Sequence, residues 1–253
     1  MSRVLIIVEP ANESPSPFAM SSTTVQGVSA LKQAMLDRVL DKPLDQSVVK
    51  PAIAAPLTDL AWASSVEMVF APELNQQGRF SNLAAQDYLI CPLTLNLPDW
   101  IPFPAQAVFK ACGDVERLRQ TVAQWQFEPG VGNYWLPIVL THKGPLYAEV
   151  IGIANDLNPQ DALLAGRYVQ PVHLTDSWRQ PLYELGQRLL RSLTAPPAVY
   201  LIQFGLGTQG IYFDQLLPFP DAPAIASIDV QSPDLFACHW RCLTGQPVRD
   251  LLI

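Results

Sequence analysis

The sequence has little charge, since Asp, Glu, Lys and Arg make up only 15% of its 253 residues. Globular domains usually carry about 25%. The net charge is −7, and lysines and arginines never form a run longer than two residues. Proteins that bind nucleic acid or anionic membranes usually show a basic patch. The composition therefore predicts neither partner, and the thinly charged surface suggests contact with a protein partner or with a second copy of the chain as a homodimer.

Long apolar runs and cysteines are also scarce. The run Val4–Val8 has five residues, against about 20 for a membrane-spanning helix. Glu9 and Pro10 follow too early for a secretory signal. Four cysteines are too few for a disulfide scaffold in a chain of this length. We therefore expect a cytoplasmic protein with reduced cysteines.

Apolar residues are abundant, at 49% of the chain, and 24 prolines divide the sequence into short elements. A buried strand is predicted at Val4–Val8, a helix at Val25–Leu40, and further strands at Val66–Ala71 and Tyr88–Leu93. Residues 11–17 contain no glycine and cannot form the pyrophosphate-binding turn of a Rossmann unit. Residues 1–100 are thus predicted to form an α/β domain that ends at a proline-dense connector.

The second part, residues 105–253, is predicted to form an α+β domain with mixed or antiparallel sheets and packed helices. Asp114 and Asp176 begin the first two predicted helices, and Gly245 with Pro247 ends the last. The predicted strands are Ala107–Ala111, Trp135–Leu140, Tyr147–Ile153, Ala198–Leu206 and Gly210–Leu217, and the last helix is Asp234–Leu243.

The final third carries a series of spaced motifs. Two strands are followed by Pro218-Phe219-Pro220, then by a helix containing Phe236-x-x-His239-x-Arg241, then by Gly245-Gln246-Pro247. This order resembles the end of the ATP-grasp fold, and most closely 5-carboxyaminoimidazole ribonucleotide synthetase, an ATP-dependent ligase of purine synthesis. The resemblance makes His239 and Arg241 family-matching positions. Upstream, Val108-Phe109-Lys110 resembles the strand whose lysine reaches nucleotide phosphates.

The departures from that family concern its chemistry. Gln203 and Gln215 stand where the resemblance implies the two acidic residues that hold magnesium between phosphates. Asp214 is adjacent to Gln215 on a strand, so its side chain is predicted to point to the opposite face. Phe219 replaces an arginine expected near the substrate. The family's glycine-rich covering loop is missing, because Cys112-Gly113-Asp114 leads directly into a helix.

These departures predict a non-catalytic ATP-grasp-like protein, a pseudoenzyme that acts as a binding or regulatory module. Lys110, Gln203, Asp214 and Gln215 are candidates for a vestigial nucleotide pocket, with no metal site and no required cofactor, although ATP binding without strong magnesium dependence fits the pattern. Lys110 and the two glutamines also have simpler interpretations, Lys110 as a surface lysine and the glutamines as polar remnants of a collapsed cleft. The alternative function is an active carboxylate–amine ligase whose metal binds Asp214 or another acid.

One further cluster, Cys238-His239-x-x-Cys242, invites comparison with a zinc site. Structural zinc usually has four ligands, and the remaining cysteines and histidines have no paired spacing. We therefore interpret Cys238 and Cys242 as small core residues of a helix. Neither a Gly-x-Ser-x-Gly elbow nor a cysteine nucleophile with a motif-spaced histidine is present.

Overall fold

The computed structural model describes residues 3–10, 21–40, 66–75, 88–154, 167–208 and 210–253, with side chains of the first helix described up to residue 35. The glycine-free segment 11–17 lies outside these ranges. The helices are α1 (Ser22–Leu40), α2 (Gln106–Gly113), α3 (Val115–Ala123), α4 (Asp176–Ser192) and α5 (Leu235–Leu243), with 3-10 turns at Ala71–Asn75 and Ala222–Ser227. The strands are β1 (Arg3–Val8), β2 (Val66–Phe70), β3 (Tyr88–Pro92), β4 (Glu128–Pro129), β5 (Tyr134–Thr141), β6 (Gly144–Tyr147), β7 (Val150–Ile153), β8 (Tyr168–Val172), β9 (Ala198–Leu206) and β10 (Ile211–Leu217).

The N-terminal part is a parallel sheet with the strand order β2-β1-β3. Its central strand β1 is continuously apolar because both of its faces are covered. Ile6 packs with Leu31 of α1 on one face, and Leu5 packs with Leu74 and Ile101 on the other. The predicted α/β character of this part is confirmed.

The second sheet has the strand order β4-β10-β9-β5-β7-β8, with β6 also paired to β5. Only the short pairing of β4 with β10 is parallel, which makes this part α+β as predicted. One face of the sheet, which includes Leu201, packs against α5 and the N-terminal elements. The other face, which includes Ile202, packs against α3 and α4. The sheet is thus the middle layer of the molecule.

The strand predicted at Ala107–Ala111 is wrong, because these residues lie in the helix α2. Val108, Phe109 and Cys112 are buried while Lys110 is exposed. This i, i+1, i+4 spacing is the apolar stripe of a helix, and the neighbouring alanines favour a helix. A short apolar run does not distinguish the two states by its composition alone.

The strand predicted at Tyr147–Ile153 is also corrected, since it is two strands that pair with successive parts of β5. The break follows from Pro137 inside β5. Its carbonyl oxygen accepts a hydrogen bond from the Ala148 N–H at 3.0 Å. Proline offers no N–H to the same neighbour, so the ladder cannot continue through this position.

The predicted ends of two helices are confirmed. The Asp114 side chain accepts a hydrogen bond from the Arg117 N–H and caps α3. Asp234 caps α5 in the same way, and Gly245 follows that helix with a φ of 69°, where glycine is favoured.

Residues 101–105, within the proline-dense connector, form neither helix nor strand. Because one apolar cluster includes both Ile6 and Leu201, the boundary near residues 100–105 stays a prediction. None of the helices in the described part of the chain has the length and apolar character needed to cross a membrane.

Candidate functional site

Gln203 and Gln215 lie side by side on β9 and β10, where their Cα atoms are ladder partners. We call them the amide pair. The Gln215 Nε2 donates to Gln203 Oε1 at 2.7 Å, and the Gln203 Nε2 donates to the backbone oxygen of Gly132 at 2.6 Å. The pair therefore forms a directed chain of hydrogen bonds that ends on the protein backbone.

Residues 130–133 form a crossing segment, which leads from β4 beside β10 to β5 on the far side of β9. It begins with a hydrogen bond from the Gly130 N–H to Phe213 O at 2.9 Å. Gly132 lies directly on β9, since a Cβ atom there would be 1.9 Å from the carbonyl carbon and oxygen of Phe204. Only glycine permits this approach. The crossing segment thus lies against the amide pair.

Asp214 lies at an irregularity in the β9–β10 register, between Phe213 and Gln215. Its Oδ1 accepts a hydrogen bond from Arg119 Nη2 at 2.5 Å, and its Oδ2 accepts one from the Gly132 N–H at 3.0 Å. Its backbone oxygen accepts from Arg119 Nε at 3.0 Å. The Arg119 helix packs on the face opposite the amide pair, so Asp214 points away from the pair, as predicted. Both carboxylate oxygens have partners, and the residue joins α3 to the crossing segment.

Lys110 lies on a helix, and not on a strand beside the amide pair. It is exposed on α2, and its Nζ is 3.2 Å from Asp99 Oδ1. The side chains of Lys110 and Asp99 are 75% and 88% exposed. This is the surface-lysine interpretation, and the structure supplies no strand that carries Lys110 toward the glutamines.

Phe219, at the position of the expected arginine, is buried. Its ring stacks on that of Phe109 with centroids 5.7 Å apart, and Phe109 contacts Phe103 edge to face at 5.1 Å. Where the resemblance implies an arginine near the substrate, this chain therefore has part of an aromatic cluster.

His239 is buried in α5 and only 2% exposed. Its Nδ1 accepts a hydrogen bond from the backbone N–H of Val199 on β9 at 3.1 Å. Burial lowers the pKa of His239 to about 3, so the ring is neutral at physiological pH. Its Nε2 has no hydrogen-bond partner among the described residues. Arg241, the second family-matching residue, lies in the last turn of α5, where a cation favours the helix dipole.

A cavity of about 460 Å³, here called the His239 cavity, lies between β3, the connector, the start of β9 and α5. Sequence reasoning missed it because its walls come from several separate segments. The only signal in the sequence was a histidine on an apolar helix. Its lining residues include Leu89, Phe103, Phe109, Pro197, Leu243 and His239.

Cys238 and Cys242 are buried in the core beside His239, as predicted. Burial raises the pKa of the Cys242 thiol to about 12, so it stays protonated. Within the described ranges, no three histidine, cysteine, aspartate or glutamate side chains form a group able to hold a metal ion.

Solved structures match almost the whole chain. Glycinamide-RNase-transformylase T from Mycobacterium tuberculosis aligns with a TM-score of 0.63 at 14% identity, over 97% of this chain and 80% of that one. N5-carboxyaminoimidazole ribonucleotide synthetase from Thermotoga maritima gives 0.64 at 10% identity, over 98% and 77%. The Staphylococcus aureus N5-carboxyaminoimidazole synthetase complexed with ADP gives 0.57 at 10% identity, over 98% and 78%.

No protein-family model and no curated protein matches the chain by sequence. At identities this low the structural likeness shows the fold alone. The chain has the fold of these ATP-grasp ligases, and the resemblance stated from the C-terminal motifs is confirmed at that level.

Proposed function

We propose that this chain is a non-catalytic ATP-grasp-like protein that acts as a binding or regulatory module. The observation that carries the proposal is the amide pair, whose amides bind each other and Gly132. The residues do not fit magnesium, a hard cation that proteins bind mainly through carboxylates together with substrate phosphates. Two neutral amides leave the charge of a triphosphate without a counter-ion.

Phosphoryl transfer depends mostly on positioning and on charge neutralisation by metal ions and cations. Here the exposed Lys110 pairs with Asp99, and the buried Phe219 stacks on Phe109. In this arrangement the Lys110 cation is paired with a carboxylate, and Phe219 carries no charge that could offset the charge developing on a transferred phosphoryl group. The proposal therefore retains the scaffold and assigns it binding rather than ligation.

The alternative, an active ligase that uses Asp214 for its metal, requires this carboxylate to leave its present partners. Both of its oxygens accept hydrogen bonds, from Arg119 and from the Gly132 N–H. A metal there would have to replace a charge-assisted pair at a residue only 7% exposed. This favours an anchoring role for Asp214.

Nucleotide binding without a strong magnesium requirement remains part of the proposal, with the amide pair as its polar group. An ADP complex of a protein with this fold gives the precedent. Two of the four candidate residues for the nucleotide pocket receive other roles in this proposal. Lys110 is placed outside the pocket, and Asp214 holds the crossing segment.

We further propose a cytoplasmic protein that binds a protein partner or a second copy of itself. All four cysteines are free and buried, which fits a reducing compartment. Trp100 in the connector is 46% exposed and Val131 in the crossing segment is 79% exposed. Exposed aromatic residues are typical of interfaces.

An ADP-release assay tests the loss of ligase activity. ATP and magnesium are supplied with a panel of candidate carboxylic acids and amine acceptors. We expect release from the wild type to equal that from the buffer alone. Magnesium-dependent ADP release that is abolished by Asp214→Asn would establish the alternative ligase.

Restoring the acids tests whether the amide pair replaced a metal site. The variant Gln203→Glu/Gln215→Glu places two carboxylates side by side and removes the donor to Gly132. Their repulsion and the lost hydrogen bond should lower the melting temperature, and magnesium should restore part of that loss. Thermal shift with and without magnesium measures this. The control Gln124→Glu/Gln187→Glu adds the same charge at exposed positions and should show no magnesium effect; equal behaviour of the two variants would contradict the interpretation.

A further inference from the structure

A second cavity, smaller than the His239 cavity, lies where the connector meets α2, and we call it the Lys110 pocket. It measures about 210 Å³. Its lining combines large apolar residues with one acid and one base, namely Leu95, Leu97, Phe103, Phe109, Asp99 and Lys110. An apolar pocket with a few polar groups is the usual form of a small-molecule site.

One wall of the Lys110 pocket is a face of α2. Gln106, Lys110 and Gly113 all line the pocket and follow one another at intervals of four and three residues, so they lie on the same face of the helix. A Cβ atom added at Gly113 would meet no atom within 4 Å. The pocket therefore continues as open space to the end of α2.

The two charged groups of the pocket are adjacent and accessible. Lys110 Nζ donates to Asp99 Oδ1 at 3.2 Å, and the two side chains are 75% and 88% exposed. Asp99 Oδ2 has no partner among the described residues, and an ammonium group has three donors. Each group can therefore bind a ligand while the pair stays intact. Gln106 Nε2 donates to the backbone oxygen of Asp99 at 2.6 Å, which holds the connector against α2.

We propose that the Lys110 pocket binds the zwitterion of a free amino acid with an aromatic side chain. The ligand's carboxylate pairs with Lys110, its ammonium group pairs with Asp99, and its ring lies against the apolar lining. A ligand with a single charge would meet one counter-ion and one like charge. The adjacent acid and base therefore favour a molecule that carries both charges.

The volume is sufficient for the ring of such a molecule. A cavity of about 150 Å³ lined by Leu, Ile and Phe holds benzene, and the Lys110 pocket is larger. Phe103 and Phe109 already contact each other edge to face, and aromatic rings favour a further ring in an offset or edge-to-face arrangement. Phenylalanine is therefore the natural probe.

This site is distinct from the amide pair. Among the described residues that line the Lys110 pocket, neither Gln203 nor Gln215 is found. ATP would bring several negative charges and no ammonium group, so it does not fit the acid and base of this pocket. The inference therefore goes beyond the proposed loss of ligase chemistry, and neither result determines the other.

Three ligands with the same ring test the ligand class: phenylalanine, hydrocinnamate, which lacks the ammonium group, and phenethylamine, which lacks the carboxylate. Titrations followed by ¹H–¹⁵N NMR of the backbone amides measure the affinities. We expect phenylalanine to bind about fivefold more tightly than either analogue, the upper end for an exposed ion pair, and to shift the amides of Phe109, Lys110 and Gly113. No shift at the solubility limit of phenylalanine, or equal affinity for phenylalanine and either analogue, would overturn the proposal.

A matched pair of lysine variants tests the carboxylate contact. Lys110→Met should remove the preference for phenylalanine over phenethylamine, because the cation that distinguishes these ligands is gone. Lys143→Met makes the same change at an exposed lysine outside the lining and should keep the preference. The same preference in both variants would contradict the assignment of Lys110.

A matched pair of phenylalanine variants locates the binding. Gly113→Phe places a ring in the open space of the pocket, whereas Ala107→Phe makes a similar change at an exposed position of α2 outside the lining. We expect the first to weaken phenylalanine binding at least tenfold and the second to leave it unchanged, with both melting near the wild type. Equal affinities in the two variants would place the ligand elsewhere and contradict the assignment.

Discussion

The polar side chains at the two ends of β9 differ in how completely the protein satisfies their hydrogen bonds. At the amide-pair end, Gln203, Gln215 and Asp214 all have protein partners, and the crossing segment completes the set. At the other end, His239 accepts one hydrogen bond and keeps a buried Nε2–H without a partner among the described residues, beside a cavity. A polar group that the protein itself satisfies has less to offer a ligand than one without a partner.

The two ends also differ in how they relate to the family resemblance. The amide pair lies where the resemblance to ATP-grasp ligases implies a metal site. The His239 cavity is lined by one of the two residues that the resemblance marks only as family-matching positions. Hydrogen-bond satisfaction, and not motif position alone, therefore distinguishes the two ends of β9.

The largest expected effect on stability comes from Gly132→Ala, which disturbs the crossing segment at the amide-pair end of β9. Its Cβ would overlap the Phe204 backbone, so the crossing segment must move and both Asp214 and Gln203 lose a partner. We expect a loss of about 3 kcal/mol or more in the free energy of unfolding, measured in urea. Gly113→Ala, where a Cβ meets no atom within 4 Å, should be close to neutral. Equal effects at the two glycines would show that the crossing segment is not tightly held.

Asp214→Asn tests the anchor itself. The change removes the charge that balances Arg119, whose side chain is 27% exposed. We expect a loss of about 3 kcal/mol in urea unfolding, the lower end for a broken buried pair, because water still reaches the arginine. Asp176→Asn breaks an exposed pair with Arg179 and should cost less than about 0.5 kcal/mol. A small loss at both positions would remove the anchoring role.

The pH dependence of stability tests the other end. The pKa of His239 is about 3 when folded and near its ordinary value of 6.5 when unfolded. Between these values the unfolded chain binds a proton that the folded chain does not. Stability should therefore fall as the pH decreases from 6.5 toward 3, by up to about 1.4 kcal/mol per pH unit from this group.

Urea unfolding at several pH values measures that slope. His239→Asn keeps an acceptor for Val199 but cannot titrate, so its stability should fall less steeply below pH 6.5. His173→Asn, at a histidine whose side chain is 81% exposed, should keep the wild-type slope. An identical slope in all three proteins would mean that His239 is not buried in the neutral form.

The smallest effect is expected for Lys110→Met. Because its pair with Asp99 is exposed, the change in unfolding free energy should stay below about 0.5 kcal/mol. The affinity for ATP should not change either. A clear loss of ATP affinity would return Lys110 to the nucleotide pocket and undo the revised assignment.

Much of the fold was accessible from the sequence. Largely apolar segments on either side of a turn predicted β9 and β10, and Asp234 and Gly245 marked the two ends of α5. Lys110 was assigned to a strand because the short, largely apolar segment 107–111 fits a strand as well as a helix until its burial pattern is known. The break between β6 and β7 could not be predicted, because it depends on Pro137 in the neighbouring strand β5 and the sequence does not show which strands pair.

The candidate sites were accessible only in part. The substitution of glutamine for acid was visible at positions 203 and 215, but the role of Gly132 was not, because its partners lie about 70 to 80 residues away. Likewise no local pattern shows that His239 Nε2 lacks a hydrogen-bond partner among the described residues. Tertiary hydrogen bonds decide both cases.

The most direct test of the central claim is calorimetric titration of the wild-type protein with ATP, with and without magnesium. We predict either weak binding of similar affinity in both conditions or no measurable binding, because the amide pair supplies no carboxylate for the metal. Tight ATP binding that requires magnesium would contradict the account, since it would demonstrate a working metal site in this fold.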